Sequence, residues 1–269
     1  MILSDLTFSV FTKPWKKQSM ELLSEHLKNI GFDGIEFPLR EGYQVEPAHA
    51  VRDLPVLVNR LDDLGIRVTS VASGLQESIF EACAKARVPI IRIMANFSLA
   101  QGYLAGEAAI RAELEKALPW CSQYGVQIGI QHHYGTGVAN SMELRHLLEG
   151  FDPRWIGAIW DAAHSALAGE EPAQGLDILA PWLCMVNLKN VFYQQTGRLV
   201  NGESQWERYF TTGEQGLSSW PKVIAALRAM RYQGTICLTA EYSDESLVDI
   251  QIAHDIAYAR SLVGDGWLK

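Results

Sequence analysis

Short apolar runs rich in β-branched residues recur along the chain, and between them lie longer stretches whose apolar positions repeat with helical period. The short runs fall at 6–11, 34–39, 67–73, 89–97, 126–133, 155–164, 184–191 and 235–243. A typical intervening stretch is SMELLSEHLKNIG, in which Met20, Leu23, Leu27 and Ile30 share one helix face and Gly31 follows as a stop. Strand and helix thus alternate through the chain, which is the pattern of parallel βα units. Eight units in 269 residues predict a single-domain (β/α)8 TIM barrel spanning 1–269. A doubly wound open sheet fits less well, because its Gly-rich first turn is absent.

Strand parity indicates which side chains enter the barrel, since alternate residues face opposite sides. In VQIGIQHH, Val126, Ile128 and Ile130 face the helices, while Gln127, Gly129, Gln131 and His133 face the lumen. By the same count Asp161, Asn187, Lys189 and Glu241 point inward near the C-terminal ends of their strands, where barrel enzymes place their chemistry. Glu36 and Arg92 reach the mouth from the opposite side, as an ion pair or as substrate contacts. His132 has the wrong parity for the pocket. Phe8, Phe11 and Trp15, around the end of the first strand, are core aromatics or a stacking surface for a sugar. The connection 194–216 is long for a βα loop and reads as a lid, with Arg198 or Arg208 available to a phosphate.

A net charge of −8 with no clustered basic segment argues against nucleic acid. No run of eighteen apolar residues would span a membrane. Cys83, Cys121, Cys184 and Cys237 are dispersed in apolar contexts, as expected of reduced thiols, and the N-terminal MILSDLTFSVF lacks the basic start of a secretory signal. These features predict a cytoplasmic protein.

GFDGIEF, GIQHHYGTGVANSMELRHLLEGFDP, WDAAHSALAG, VNLKN and GEQGLSSWPKVIAALRAMRYQGTICLTAEY together resemble the xylose isomerase-like barrel superfamily of sugar isomerases, epimerases and lyases, over nearly the whole chain. In its metal-dependent members a divalent ion is held by Glu, Asp, His and Glu. The corresponding residues here are Gln131, Asp161, Asn187 and Glu241. Two of the four ligands have therefore become amides, which lowers the anionic charge of the cradle and suits Mn²⁺ or Mg²⁺ better than Zn²⁺. Gln131 cannot act as a base, so half of the acid–base pair implied by the resemblance is missing.

The resemblance implies a sugar or polyol isomerase or epimerase that moves a proton between adjacent carbons through an enediolate. Glu241 is then the expected base, with His133 or His164 as the opposing acid and a weakly held Mn²⁺ or Mg²⁺ at Asp161, Glu241, Gln131 and Asn187. Glu36, Arg92, Lys189 and Gln131 are the expected substrate contacts. The alternative is a metal-independent lyase or isomerase, or a sugar-binding relative without catalysis. An apurinic endonuclease, also found in this superfamily, would need a richer zinc set and a basic face. Association into a homo-oligomer is expected by analogy alone.

Overall fold

The computed structural model describes residues 6–135, 137–264 and Trp267. Eight parallel strands close a barrel in the order β1, β2, β3, β4, β5, β6, β7 and β10. They are β1 (Leu6–Phe11), β2 (Gly34–Pro38), β3 (Arg67–Ala72), β4 (Ile90–Met94), β5 (Gln127–Gln131), β6 (Ile156–Asp161), β7 (Leu183–Leu188) and β10 (Gly234–Leu238). β8 (Asn190–Val200) and β9 (Glu203–Thr211) form a separate antiparallel pair. The helices are α1 (Met20–Ile30), α2 (Ala50–Asp63), α3 (Glu77–Ala86), α4 (Tyr103–Tyr124), α5 (Ser141–Leu148), α6 (Ala162–Leu167), α7 (Pro172–Leu179), α8 (Trp220–Ala229) and α9 (Val248–Val263). Among the described residues no helix is long and apolar enough to cross a membrane.

The local signals act as the sequence implies. Ser19 caps α1 by accepting from the Leu22 N–H, and Gly31 ends it at φ 111°, a left-handed conformation that suits a residue without a Cβ. Parity also holds. Leu6, Phe8 and Val10 pack outward with the helices, whereas Phe11, Ala72, Ile90, Ile159, Met185 and Cys237 form a separate apolar plug inside the barrel. Gly129 makes room for that plug, because a Cβ there would lie 2.6 Å from Ile159 Cδ1. The plug floors the lumen and leaves the polar inward residues stacked above it at the mouth.

Two expectations need correction. The segment 155–164 is not one strand: β6 stops at Asp161, whose Oδ1 accepts from the Ala163 and His164 N–H groups, both at 3.0 Å, and so starts α6. The connection 194–216 is not an irregular lid loop, because most of it belongs to the β8–β9 hairpin. The Asn201-Gly202 pair, at φ 52° and 83°, forms the tight turn that favours this pairing. The hairpin base packs on α6 through Val191, Ala163 and Leu167, with Tyr134 and Phe210 beside them. Its far end, including Arg198, Leu199 and Trp206, is exposed.

Candidate active site

One hydrogen-bonded chain crosses the floor of the mouth. Arg92 Nε donates to Glu36 Oε1 at 2.6 Å, and Ser70 Oγ donates to the same oxygen at 3.2 Å. Arg92 Nη1 donates to Gln131 Oε1, and Gln131 Nε2 donates to Asp161 Oδ2 at 2.7 Å. Every member except Ser70 comes from the set identified by parity, and all are buried. Arg92 also lies over the Phe11 ring, 4.5 Å from its centroid. Phe11 is therefore part of the site floor, while Phe8 faces away and carries the Arg260 guanidinium.

A second cluster lies on the other side. Lys189 Nζ donates to Glu241 Oε2 at 3.0 Å, and Lys13 Nζ donates to Glu241 Oε1. Burial opposes the charge on Glu241, but the Lys189 and Lys13 ammonium groups outweigh it and hold the carboxyl well below the usual range. Glu241 is presented by Ala240, which is buried and has φ 52°. A left-handed backbone costs a non-glycine residue about 1–2 kcal/mol, so the turn that aims this carboxylate stores strain.

His133 and His164 lie against each other with ring centroids 3.9 Å apart and planes tilted by 41°. Burial, and then the Lys189 charge, lower the pKa of His133. Burial pushes His164 well below the ordinary histidine value despite the attraction of Asp161. Both rings are neutral at pH 7. His164 Nδ1 accepts from the Tyr134 N–H at 3.3 Å, so its own proton sits on Nε2, which is buried and has no partner. Both polar atoms of the Asn187 amide are likewise buried without a partner. Such orphans are costly unless a ligand satisfies them. His132 lies behind the site, its Nε2 at 3.2 Å from the Asp161 carbonyl and its ring against Trp160.

A cavity of about 650 Å³ is lined by Lys13, Trp15, His133, Lys189, Phe210 and Glu241, among others, with His164 and Asn187 fully buried behind this lining. Arg208 lines it from the hairpin, whereas Arg198 does not. Sequence reasoning missed Lys13 and Arg40, although both continue the inward parity of their strands, Lys13 from Ser9 and Phe11 and Arg40 from Gly34 and Glu36.

The donor set does not fit a divalent metal. Asp161 uses Oδ1 as a helix cap and Oδ2 for Gln131, whose own oxygen faces a guanidinium. Both Glu241 oxygens carry ammonium groups. Among the described residues no three His, Cys, Asp or Glu side chains converge to hold an ion. Three carboxylates (Glu36, Asp161, Glu241) already face three bonded cations or their relay (Arg92, Lys189, Lys13), so the charge closes without a divalent ion.

Residues 24–262 match the sequence profile of the xylose isomerase-like TIM barrel family. The chain belongs to this family. Inosose dehydratase of Mesomycoplasma hyopneumoniae strain J is 27% identical over 157 residues, covering 56% of this chain and 52% of that protein. The chain thus spans about half the length of the curated relative it matches. Among solved structures, the apo 3-keto-D-glucoside 4-epimerase YcjR of E. coli superposes with a TM-score of 0.73 at 15% identity, covering 95% of this chain and 99% of that one. The IolI protein, solved with a bound zinc atom, superposes with a TM-score of 0.71 at 13% identity over 96% and 97% of the two chains. At these identities the superpositions show the shared barrel.

Proposed function

We propose that this barrel transfers a proton at a carbon next to a carbonyl in a sugar or cyclic polyol, as an isomerase or epimerase. The observation that carries this reading is the Lys189 ammonium, buried beside Glu241 at a mouth where two neutral imidazoles lie against each other and the Asn187 amide has no protein partner. A fixed cation aimed at a developing enediolate oxygen is the electrostatic element that such chemistry needs.

His133 acts as the base in this scheme. It lines the cavity, burial and the Lys189 charge favour its neutral form, and its ring lies beside the Tyr134 backbone. The carbon–hydrogen bond breaks, the proton moves to a His133 ring nitrogen, and the electron pair moves onto the carbonyl oxygen facing Lys189. His164 Nε2–H and the Asn187 amide hold substrate oxygens. Protonated His133 faces Lys189 and lies against His164, so it readily returns the proton, either to the same carbon or to the former carbonyl carbon while the remaining hydroxyl proton of the enediolate passes to the oxygen at Lys189. The base role expected of Glu241 passes to His133, because two ammonium groups make Glu241 a weak base; Glu241 instead orients Lys189. A Mn²⁺ or Mg²⁺ at Asp161 and Glu241 would have to displace Lys13, Lys189 and the Gln131 bond, and no step is assigned to one.

The similarity to inosose dehydratase favours a second outcome of the same first step, loss of a hydroxyl from the carbon next to the carbanion. Incubating the protein with a panel of ketoses and keto-inositols, neutral, phosphorylated and carboxylated, in D₂O separates the two. Deuterium entering recovered substrate or its isomer by NMR supports isomerisation, and an unsaturated ketone absorbing in the ultraviolet supports dehydration. No exchange and no elimination across the panel, with folded protein, would sink the proposal.

A further inference from the structure

Among the described residues Arg40 has no acidic partner. Its guanidinium lies 5.7 Å from the Phe11 ring centroid, and Arg92 lies 4.5 Å from that same ring. Arg92 is bound through Nε to Glu36 and through Nη1 to Gln131. Arg40 is half-buried and makes no hydrogen bond or ion pair among the described residues. Burial, and then the neighbouring Arg92, disfavour its charge. Two guanidinium groups held on one ring with a single carboxylate between them repel unless a further anion joins them.

Space for that anion is present. A cavity of about 360 Å³ is lined by Arg40, Arg92, Ser73, Gly74, Gln76 and Asn96, with the exposed Glu113 at its edge. Another, of about 540 Å³, adjoins Arg40, Ser73, Gly74, Gln76 and Ser78. Both border the start of the ten-residue α3, whose N-cap Gln76 makes no side-chain capping bond. Its first N–H groups therefore add to the positive field already supplied by the arginines. Around the mouth Arg92 pairs with Glu36, and Lys13 and Lys189 pair with Glu241, whereas Arg40 pairs with no carboxylate among the described residues.

We infer that Arg40 and Arg92 seat an anionic group of the substrate, a carboxylate or a phosphate, on the side of the mouth opposite Lys189. This deepens the proton-transfer reading by making the substrate a sugar acid or sugar phosphate, and the seat itself can be tested without turnover. Calorimetric titration with gluconate, glucose 6-phosphate and the neutral glucitol compares the ligand classes on one carbon skeleton length. An anion should bind at least about tenfold more tightly than glucitol, the size of a charge-assisted hydrogen bond, and added salt should erode the difference. Preference for gluconate identifies a carboxylate seat, and preference for glucose 6-phosphate a phosphate seat.

Arg40→Gln should remove that preference. It should leave the unliganded melting temperature unchanged or raised, because it relieves repulsion with Arg92, and Arg198→Gln on the exposed hairpin should change nothing. Equal binding of glucitol and both anions, binding of none of them, or an undiminished anion preference in Arg40→Gln would each overturn the seat. None of these results bears on deuterium exchange into a neutral ketose. Conversely, a tight anion site lost in Arg40→Gln, in a protein that exchanges no substrate proton, would keep the seat and reject the proton-transfer reading.

Discussion

Replacing Lys189 with Met tests the central electrostatic claim, because Met keeps most of the apolar stem and deletes only the ammonium. The side chains of Lys189 and Glu241 are 5% and 28% exposed, and their charged atoms lie 3.0 Å apart. At an effective dielectric constant of about 20, that separation corresponds to an attraction of roughly 5 kcal/mol before desolvation. Burying both groups cancels much of it, and Lys13 still pairs with Glu241 in the variant. A net stability loss of about 1–3 kcal/mol is therefore expected. Turnover should fall further, by about 10²–10³ in kcat, the usual effect of deleting one preorganised group at a developing oxyanion. The distinguishing readout is the pH profile. Lys189 depresses His133, so removing it should move the acidic limb of kcat to higher pH. Denaturant melts give the first quantity, and deuterium wash-in measured across pH gives the other two. A variant with wild-type kcat and an unmoved acidic limb would refute the assignment even if it were destabilised.

In the wild type, proton transfer should decline as the pH falls below about 6.5, since His133 acts in its neutral form and its pKa lies below that value; a rate that rises on acidification would contradict this. Buried neutral His164 has a folded-state pKa below its unfolded value, so its contribution to stability is present above about 6.5 and is lost as acid protonates the unfolded chain first, which melts between pH 5 and 7.5 will show. EDTA and added Mn²⁺ should both leave the wild-type melting temperature unchanged, whereas Gln131→Glu combined with Asn187→His and Lys189→Gln should acquire a Mn²⁺-dependent rise; a wild-type rise would show that the donors open to an ion. Gly129→Val should cost about 1–3 kcal/mol by driving a methyl group into Ile159, and Ile159→Ala in the same chain should recover part of it, as a double-mutant cycle by urea melts would reveal.

The barrel and its inward residues are legible in the sequence because both depend on local period. Parity alone places Gln131, Asp161, Asn187, Lys189, Glu36 and Arg92 in the mouth, since a parallel strand buried under helices has one face left for the lumen. Parity breaks where a strand ends, and His164 shows it. Three residues past Asp161 along a strand, it would point away, but Asp161 caps α6 and the first helical turn swings the imidazole onto His133. The hairpin was hidden because 194–216 is polar and Gly-punctuated like a loop, although the Asn201-Gly202 turn pair carries its signal. Which partner each polar group takes was not legible at all. Nothing local to TAEY says that Glu241 meets Lys13, 228 residues away.

Those long-range partners explain why the two amides and the lysine pair belong together. A glutamate at 131 would sit between Asp161 and the Arg92–Glu36 pair, adding a third carboxylate to a buried chain that holds one cation, and a fourth to the cluster once Glu241 is counted. The amide has both a donor and an acceptor, so it can bond Asp161 with one end and Arg92 with the other, which a carboxylate cannot do. It links the two sides of the floor without adding charge. With the fourth carboxylate gone, a divalent ion would leave the cluster over-positive, while single charges on Lys13 and Lys189 match what remains. Asn187 follows the same logic, because it contributes hydrogen-bonding capacity beside Asp161 with no titratable proton of its own. The arrangement leaves a preorganised field of fixed side-chain charges at the mouth. In the proposed scheme the Lys189 ammonium is the group that faces the substrate oxygen.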